Sequence, residues 1–354
     1  MKIFKKIFTC FAMFFLSLYL CGCKNKDEFD QIFDIHTELQ NQYLVGDPKL
    51  IGPYATGIKE LSKPNPIKLT FDIESTQYNL YISENNTFEV DVLKYTTTNK
   101  EIEIYNLKIN TKYYWYVTNI DESVKSDVKT FKINTKTIRN LDIDGLTNAR
   151  DLGGWEIDKN TYVKQGMIYR TSRFNENEST EVLISEKGIN TMLNELKVKT
   201  EIDLRKTEDN ENGGITSSPL GNTVNYVSIP MKSSGNIIIL NKDLIKDVFK
   251  VLGDENNYPI VIHCSIGTDR TGLICYLINS LLGVNEENLY QDYLFSCFGE
   301  IGKARVYSTI DKYKMAINTS SGNTHKEKTY NYLIDIGVSK TDLDNILNIM
   351  IENK

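Results

Sequence analysis

The run Pro259-Ile-Val-Ile-His263-Cys264-Ser265-Ile266-Gly267-Thr268-Asp269-Arg270-Thr271-Gly272 decides how this chain is read. It parses as an apolar strand, a loop from Cys264 to Arg270, and the opening of a helix. A cysteine so placed is suited to be a nucleophile. Only the thiolate attacks well, and a free thiol ionises near pH ~8.5; a helix N-terminus with converging backbone N–H groups lowers that value. The same N–H groups, from Ser265, Ile266, Gly267 and Thr268, make an anion nest suited to phosphate oxygens and to the charge that develops during phosphoryl transfer. Gly267 supplies the backbone freedom to turn an N–H inward. Arg270 offers a planar fork for two phosphate oxygens, which lysine cannot. Thr271 can donate its hydroxyl to the sulfur, and His263 is placed to order the loop by hydrogen bonds. The bland alternative is a structural cysteine that happens to precede an arginine.

Working outward, the text alternates strands and helices. Lys199 to Leu204, Val224 to Ile229 and Pro259 to His263 are short, nearly continuous apolar strands, as in a sheet covered on both faces. Ser185 caps a helix through Leu196, an amphipathic helix runs from about Lys242 to Leu252, and another from Arg270 to Leu282 ends at Gly283. The remainder to Lys354 is mostly helical, with Asp292-Tyr-Leu and Tyr330 to Met350 as its clearest pieces. The fold expected over 139–354 is therefore α/β, with a central, mostly parallel sheet flanked by helices. A phosphoester also needs a general acid for its leaving oxygen. The stretch Pro230 to Lys242 contains no Asp or Glu, and Asp243 is on a helix, so Asp269 is the candidate. Its alternative role is to pin the loop by accepting backbone hydrogen bonds.

Residues 46–138 have a different grammar. Leu69, Phe71 and Ile73 alternate, as do Phe88, Val90 and Val92, then Ile102 and Ile104. This predicts a small all-β sandwich. The Tyr113-Tyr114-Trp115-Tyr116 cluster reads as core packing, with a binding face as its alternative.

The N-terminus differs in kind again. Lys2, Lys5 and Lys6 precede an apolar run from Ile7 to Leu20, short for a membrane span and laid out as a secretory signal. It ends Leu20-Cys21-Gly22-Cys23. Residues 1–23 are thus expected to be a signal peptide, with Cys23 lipidated, and 24–45 a polar tether. An uncleaved anchor helix is the alternative. Either places the protein outside the cytoplasm on a membrane surface. Of six cysteines, only Cys264, Cys275 and Cys297 remain in the folded part, too few and too unevenly spaced for a disulfide scaffold. The three histidines are scattered, so neither a metal nor another cofactor is expected. A formal charge of −6 argues against a nucleic-acid partner.

Three segments carry a family resemblance. HCSIGTDRTG from His263 resembles the HCxxGKDRTG signature of bacterial tyrosine phosphatase-like proteins. Thr147-Asn148-Ala-Arg150-Asp151-Leu152-Gly153-Gly154, followed by Tyr169-Arg170-Thr-Ser172, resembles that family's NFRDLGG and YRS elements. Ile202-Asp203-Leu204-Arg205, with Glu208 soon after, resembles its IDLR…E strand. The resemblance covers about Leu141 to the C-terminus. It implies a cysteine phosphatase with Cys264 as nucleophile, Arg270 as phosphate ligand and Asp269 as acid. Asp151, Asp203 and Arg205 would buttress the loop. It implies a phosphorylated protein substrate, a tyrosine phosphate above all, or else a phospholipid or inositol phosphate. Thr268 stands where the family usually has lysine, which removes a cation beside the phosphate and weighs against the polyanionic substrates. A rhodanese-like sulfurtransferase and a non-catalytic phospho-ligand binder are the other readings. The Leu107 to Val117 stretch is similar to fibronectin type III domains, in which a tyrosine bonds back to the preceding turn. The lipobox-like Leu20 to Cys23 resembles bacterial lipoproteins, which implies anchorage at the outer face of a bacterial membrane.

Overall fold

The computed structural model describes residues 29–354. The expected signal sequence and the Cys23 lipidation site lie outside the described residues. The first half carries β1 (Gln31–Phe33), α1 (Glu38–Val45), β2 (Ile67–Thr70), β3 (Tyr78–Ser83), β4 (Leu93–Thr97), β5 (Glu101–Ile104), β6 (Thr111–Asn119) and β7 (Lys129–Ile133). A five-stranded sheet of order β1-β7-β6-β3-β4 faces the β2–β5 pair. Alternate side chains from both sheets, among them Leu69, Leu80, Ile104, Trp115 and Phe131, form one buried cluster. Tyr113 and Trp115 point into it, as expected. Tyr114 and Tyr116 fall on the other face by the two-residue period of the strand, where Tyr116 stacks on Tyr81. The Tyr113 hydroxyl accepts from the Lys108 N–H at 2.8 Å, tying the start of β6 to the turn before it.

The second half contains β8 (Arg150–Asp151), β9 (Glu156–Asp158), β10 (Thr161–Val163), β11 (Ile168–Thr171), α2 (Glu186–Asn190), β12 (Thr200–Asp203), β13 (Asn225–Ser228), α3 (Ile237–Leu240), α4 (Lys242–Leu252) and β14 (Ile260–His263). It continues with α5 (Asp269–Leu282), α6 (Glu286–Phe295), α7 (Ser308–Ile317), α8 (His325–Asp335), α9 (Lys340–Met350) and β15 (Ile351–Asn353). The central sheet has the order β13-β12-β14-β11-β8. Its first four strands are parallel and β8 is antiparallel. In the middle strand Ile260 and Ile262 enter the core shared with the helices, whereas Val261 enters a second core on the opposite face. Each such side chain contributes about 1.5–3 kcal/mol by leaving water. That explains the continuous apolar run. The edge strand β13 is mostly half-buried or exposed, unlike the fully covered strand expected there. At the strand's end His263 turns toward the second core, stacked on Phe174, and Cys264 joins the first.

The expected boundaries at the start of the folded part also fail. Residues 24–45, read as a tether, form a strand and a helix from Gln31 on. Thr37 and Gln40 make a capping box at the start of α1. Nor does 46–64 belong to the β-rich half. Tyr43, Ile51 and Ala55 pack into the core of the α/β half. Gln291 donates to the Leu44 carbonyl at 2.8 Å. A run of backbone bonds, Gly57 N–H to Cys297 O, Ile301 N–H to Gly57 O and Leu61 N–H to Phe298 O, straps the segment across the residues after α6. Among the described residues no helix is long and apolar enough to cross a membrane.

Candidate active site

Cys264 sits at the C-terminal end of β14, with α5 opening five residues later. The carbonyls of the loop between them all have donors on the outside. His263 Nδ1 reaches Cys264 O at 3.4 Å. The Arg173 N–H and Nη1 both donate to Ser265 O at 3.2 Å. Asn148 Nδ2 donates to Ile266 O and Gly267 O, and Arg170 Nη2 to Gly267 O at 2.8 Å. With the carbonyls drawn outward, the N–H groups of Ser265 to Thr268 face the other way. Among the described residues they find no acceptor. This is the geometry of an anion nest.

Gly267 makes the turn possible. Its φ is +66°, and a Cβ there would lie 2.3 Å from the Thr171 carbonyl oxygen, part of a buried strand. Gly267→Ala should therefore cost at least the ~1–3 kcal/mol of a forced left-handed residue, and should flatten activity as the nest opens. Wild-type melting temperature and turnover in that variant would contradict this account of the loop.

The three buried cysteines differ in electrostatics. Burial pushes the Cys264 thiol up, but the Arg270 guanidinium, with the Thr271 hydroxyl and amide, more than offsets it, and the thiol ends below its ordinary value. The Thr271 hydroxyl has no other partner. Burial drives Cys275 up to about 11 and raises Cys297 as well. Of these three, Cys264 alone is poised to be a thiolate.

Arg270 spends its outer edge on protein: Nη1 and Nη2 meet the two oxygens of Glu211 at 2.7 and 2.5 Å. Its Nε finds no acceptor among the described residues, so the Nε/Nη2 edge is left for two oxygens of an anion. Burial pushes the Glu211 carboxyl up, but Arg270, the Lys206 amide and Ser265 outweigh it and hold it at about 2. Glu208, which the resemblance matched to the glutamate after the IDLR strand, is exposed. Three acidic residues, Glu208, Asp209 and Glu211, crowd this turn, and spacing alone could not choose among them; closure of the turn by Lys206 N–H onto Glu211 does.

His263 and its neighbours buttress the loop. Burial works against a charged imidazole, but Asp203 and Glu201 outweigh it and raise its pKa above the ordinary value. Nε2 lies 2.9 Å from Glu201. Asp203 accepts from Arg205, which also grips Asn175. Glu201, Asp203 and His263 bring three ligand atoms within 4.8 Å, but Arg205 and the Ser218 hydroxyl already use the carboxylates, and a metal ion would lie against the Arg205 charge. Asp151, expected to support the loop, instead binds Arg139 and the amides of Gly153 and Gly166. Its place is taken by Asn148, Arg150, Arg170 and Asp292, the last unrecognised in the sequence.

Two predicted residues stand differently from expectation. The Thr268 side chain is buried, donating to Ile266 O and accepting from Asn148. Its hydroxyl is thus engaged behind the loop, and only its backbone N–H belongs to the nest. Asp269 opens α5 directly after the loop, but both its oxygens are held by Arg305, at 2.9 Å each, and Oδ1 also accepts from Tyr293 at 3.1 Å.

Known proteins bear on this site. Over 54 residues the chain is 33% identical to "Putative tyrosine-protein phosphatase OCA1" of Meyerozyma guilliermondii. That stretch is 15% of this chain and 29% of the curated relative, so the chain spans under a third of that protein's length. Among solved structures, the core catalytic domain of the PP-IP phosphatase SIW14 from S. cerevisiae, in complex with citrate, is 18% identical. The match covers 48% of this chain and 84% of that one, with a TM-score of 0.29. TpbA of P. aeruginosa is 17% identical over 55% of this chain and 96% of its own, with a TM-score of 0.28. The model of the tyrosine phosphatase family matches residues 141–351, well over half of the chain. That span takes in β14, the loop and the side chains that hold its carbonyls outward, and on it this chain belongs to the tyrosine phosphatase family.

Proposed function

We propose that the chain hydrolyses phosphomonoesters through a phosphocysteine intermediate, with Cys264 as nucleophile. One observation carries the reading: a thiol lowered by Arg270 lies at the base of a loop whose free N–H groups and free arginine edge fit a phosphoryl group. In the first step the Cys264 thiolate attacks phosphorus and the ester P–O bond breaks. The amides of Ser265, Ile266, Gly267 and Thr268, with Arg270, hold the equatorial oxygens. In the second step water attacks phosphorus and the P–S bond breaks. Thr271 then stabilises the returning thiolate through its unpartnered hydroxyl. Asp269, adjoining Arg270 at the start of α5, gives a proton to the leaving oxygen in the first step and takes one from water in the second.

A tyrosine phosphate is the favoured substrate. Four cations around the loop are paired with a carboxylate: Arg173 with Glu176, Arg270 with Glu211, Arg305 with Asp269, Lys206 with Asp209. Their charge is thus already partly neutralised against the further phosphates of an inositol headgroup, and Thr268 adds none. In chelator, the full chain should therefore release phosphate from a phosphotyrosine peptide faster than from a phosphoserine peptide or any of a panel of phosphoinositides. Faster turnover of a phosphoinositide would make the lipid the substrate, and hydrolysis of none of them would overturn the reading.

A further inference from the structure

The Asp269 carboxylate is held more tightly than a loop pin requires. Arg305 Nε donates to Oδ1 and Nη2 to Oδ2, both at 2.9 Å, and the Tyr293 hydroxyl adds a third donor. The side chain of Asp269 keeps 36% of its exposure and that of Arg305 13%, so the pair is fixed by its bidentate geometry while one edge of the carboxylate stays open to solvent. Asp269 also opens α5, where a carboxylate is already favoured by the helix dipole. Arg305 itself comes from the irregular stretch between α6 and α7. Its own N–H donates to the Cys297 sulfur, and the start of that stretch is strapped by Gly57 and by Glu60, whose carboxylate accepts from the Glu300 N–H. Three donors from two elements thus fix the orientation of one carboxylate.

We propose that Arg305 is a positioning residue for the second chemical step, an inference that rests on the function proposed above. A carboxylate has about four lone-pair sites. Tyr293 and Arg305 fill two on Oδ1, and Arg305 fills one on Oδ2, which leaves a single site on Oδ2. So held, Asp269 offers that one site on Oδ2 in a fixed direction. The step that needs an acceptor is hydrolysis of the phosphocysteine. The water oxygen bonds to phosphorus, the P–S bond breaks with its electron pair returning to Cys264, and one water proton passes to Oδ2 and then to solvent. Phosphate leaves.

The test uses the full chain and p-nitrophenyl phosphate, whose leaving group departs without help. Acid quenching traps the phosphocysteine at steady state, and rapid mixing follows nitrophenol release in the first turnover. Arg305→Ala should leave that first turnover within about threefold of wild type and lower steady-state turnover tenfold or more, toward the ~10²–10⁴ worth of a positioned proton-transfer group. The trapped fraction should rise accordingly. Arg305→Lys should recover part of the loss, and Tyr293→Phe should show a smaller rise. An unchanged trapped fraction overturns the proposal; so does a fall of both phases in step with a lower melting temperature, which is the mark of a structural pin. Should Arg305→Ala fail to fold, Arg305→Gln and Arg305→Lys carry the same comparison. Failure of the underlying reading looks different: wild type would then trap no phosphocysteine, and Cys264→Ser would still turn over.

Discussion

Cys264→Ser should lower turnover by at least about 10³-fold while leaving tungstate binding nearly intact. A serine hydroxyl occupies almost the same space, so the nest and Arg270 keep their geometry. It is not ionised near neutral pH, however, and removal of a nucleophile that acts with its surroundings as a unit costs most of the catalysis. The nearby charges that lower the Cys264 thiol make a matching pH prediction. A group whose folded pKa lies below its ordinary value stays ionised further down the pH scale. Alkylation by iodoacetamide should therefore inactivate the wild type rapidly at neutral pH and slow only as pH falls through the lowered value. Cys275 and Cys297, pushed upward by burial, should stay unmodified in the folded protein. Residual turnover in Cys264→Ser above a few per cent of wild type would remove Cys264 from the mechanism.

Asp292→Ala is expected to have the largest effect on stability. Asp292 is buried on α6 and accepts from Arg150 Nε at 2.9 Å and Arg170 Nη1 at 2.7 Å. Arg150 in turn donates to Asn148 Oδ1 at 2.6 Å, and both Asn148 and Arg170 hold the carbonyl of Gly267. One carboxylate thus neutralises two buried guanidiniums that together set the loop. Burial pushes Asp292 up, but the two arginines outweigh it and bring it below the ordinary value. For Arg150, burial and the nearby Arg170 charge bring the pKa down to about 10. Removing the acid leaves two like charges without a counter-ion in a dry core, a change that typically costs about 3–5 kcal/mol. At ~2–4 °C per kcal/mol for a domain of this size, melting should fall by roughly 6–20 °C, and activity with it. The sign with pH follows. A depressed carboxylate contributes stability above its unfolded pKa and loses that contribution as pH falls through the folded value, so wild type and variant should converge in strong acid. Equal melting temperatures at neutral pH would show that the triad does not hold the loop.

What could be read from the chain is what is encoded locally. β14, the loop and α5 form one contiguous run of residues, and the chemistry of Cys264, Gly267 and Arg270 follows from residue type and order. Ser185 capping α2 and Gly283 closing α5 at φ +96° are likewise short-range facts. Tertiary structure decided the rest, because the contacts join positions with no shared period. Glu211 rather than Glu208 meets Arg270 because a turn closes on the Lys206 amide. Asp292 reaches Arg150 across 142 residues of sequence, and in a helix read as LYQDYLF nothing local marks it as a counter-ion. The segment around Gly57 looked like a continuation of the β-rich half, yet its backbone groups are satisfied by Cys297 and Ile301. Arg305 was one cation among many until the chain brought its guanidinium to both oxygens of Asp269. A sequence names the groups able to carry charge, whereas pairing depends on which of them are desolvated together, and only packing settles that.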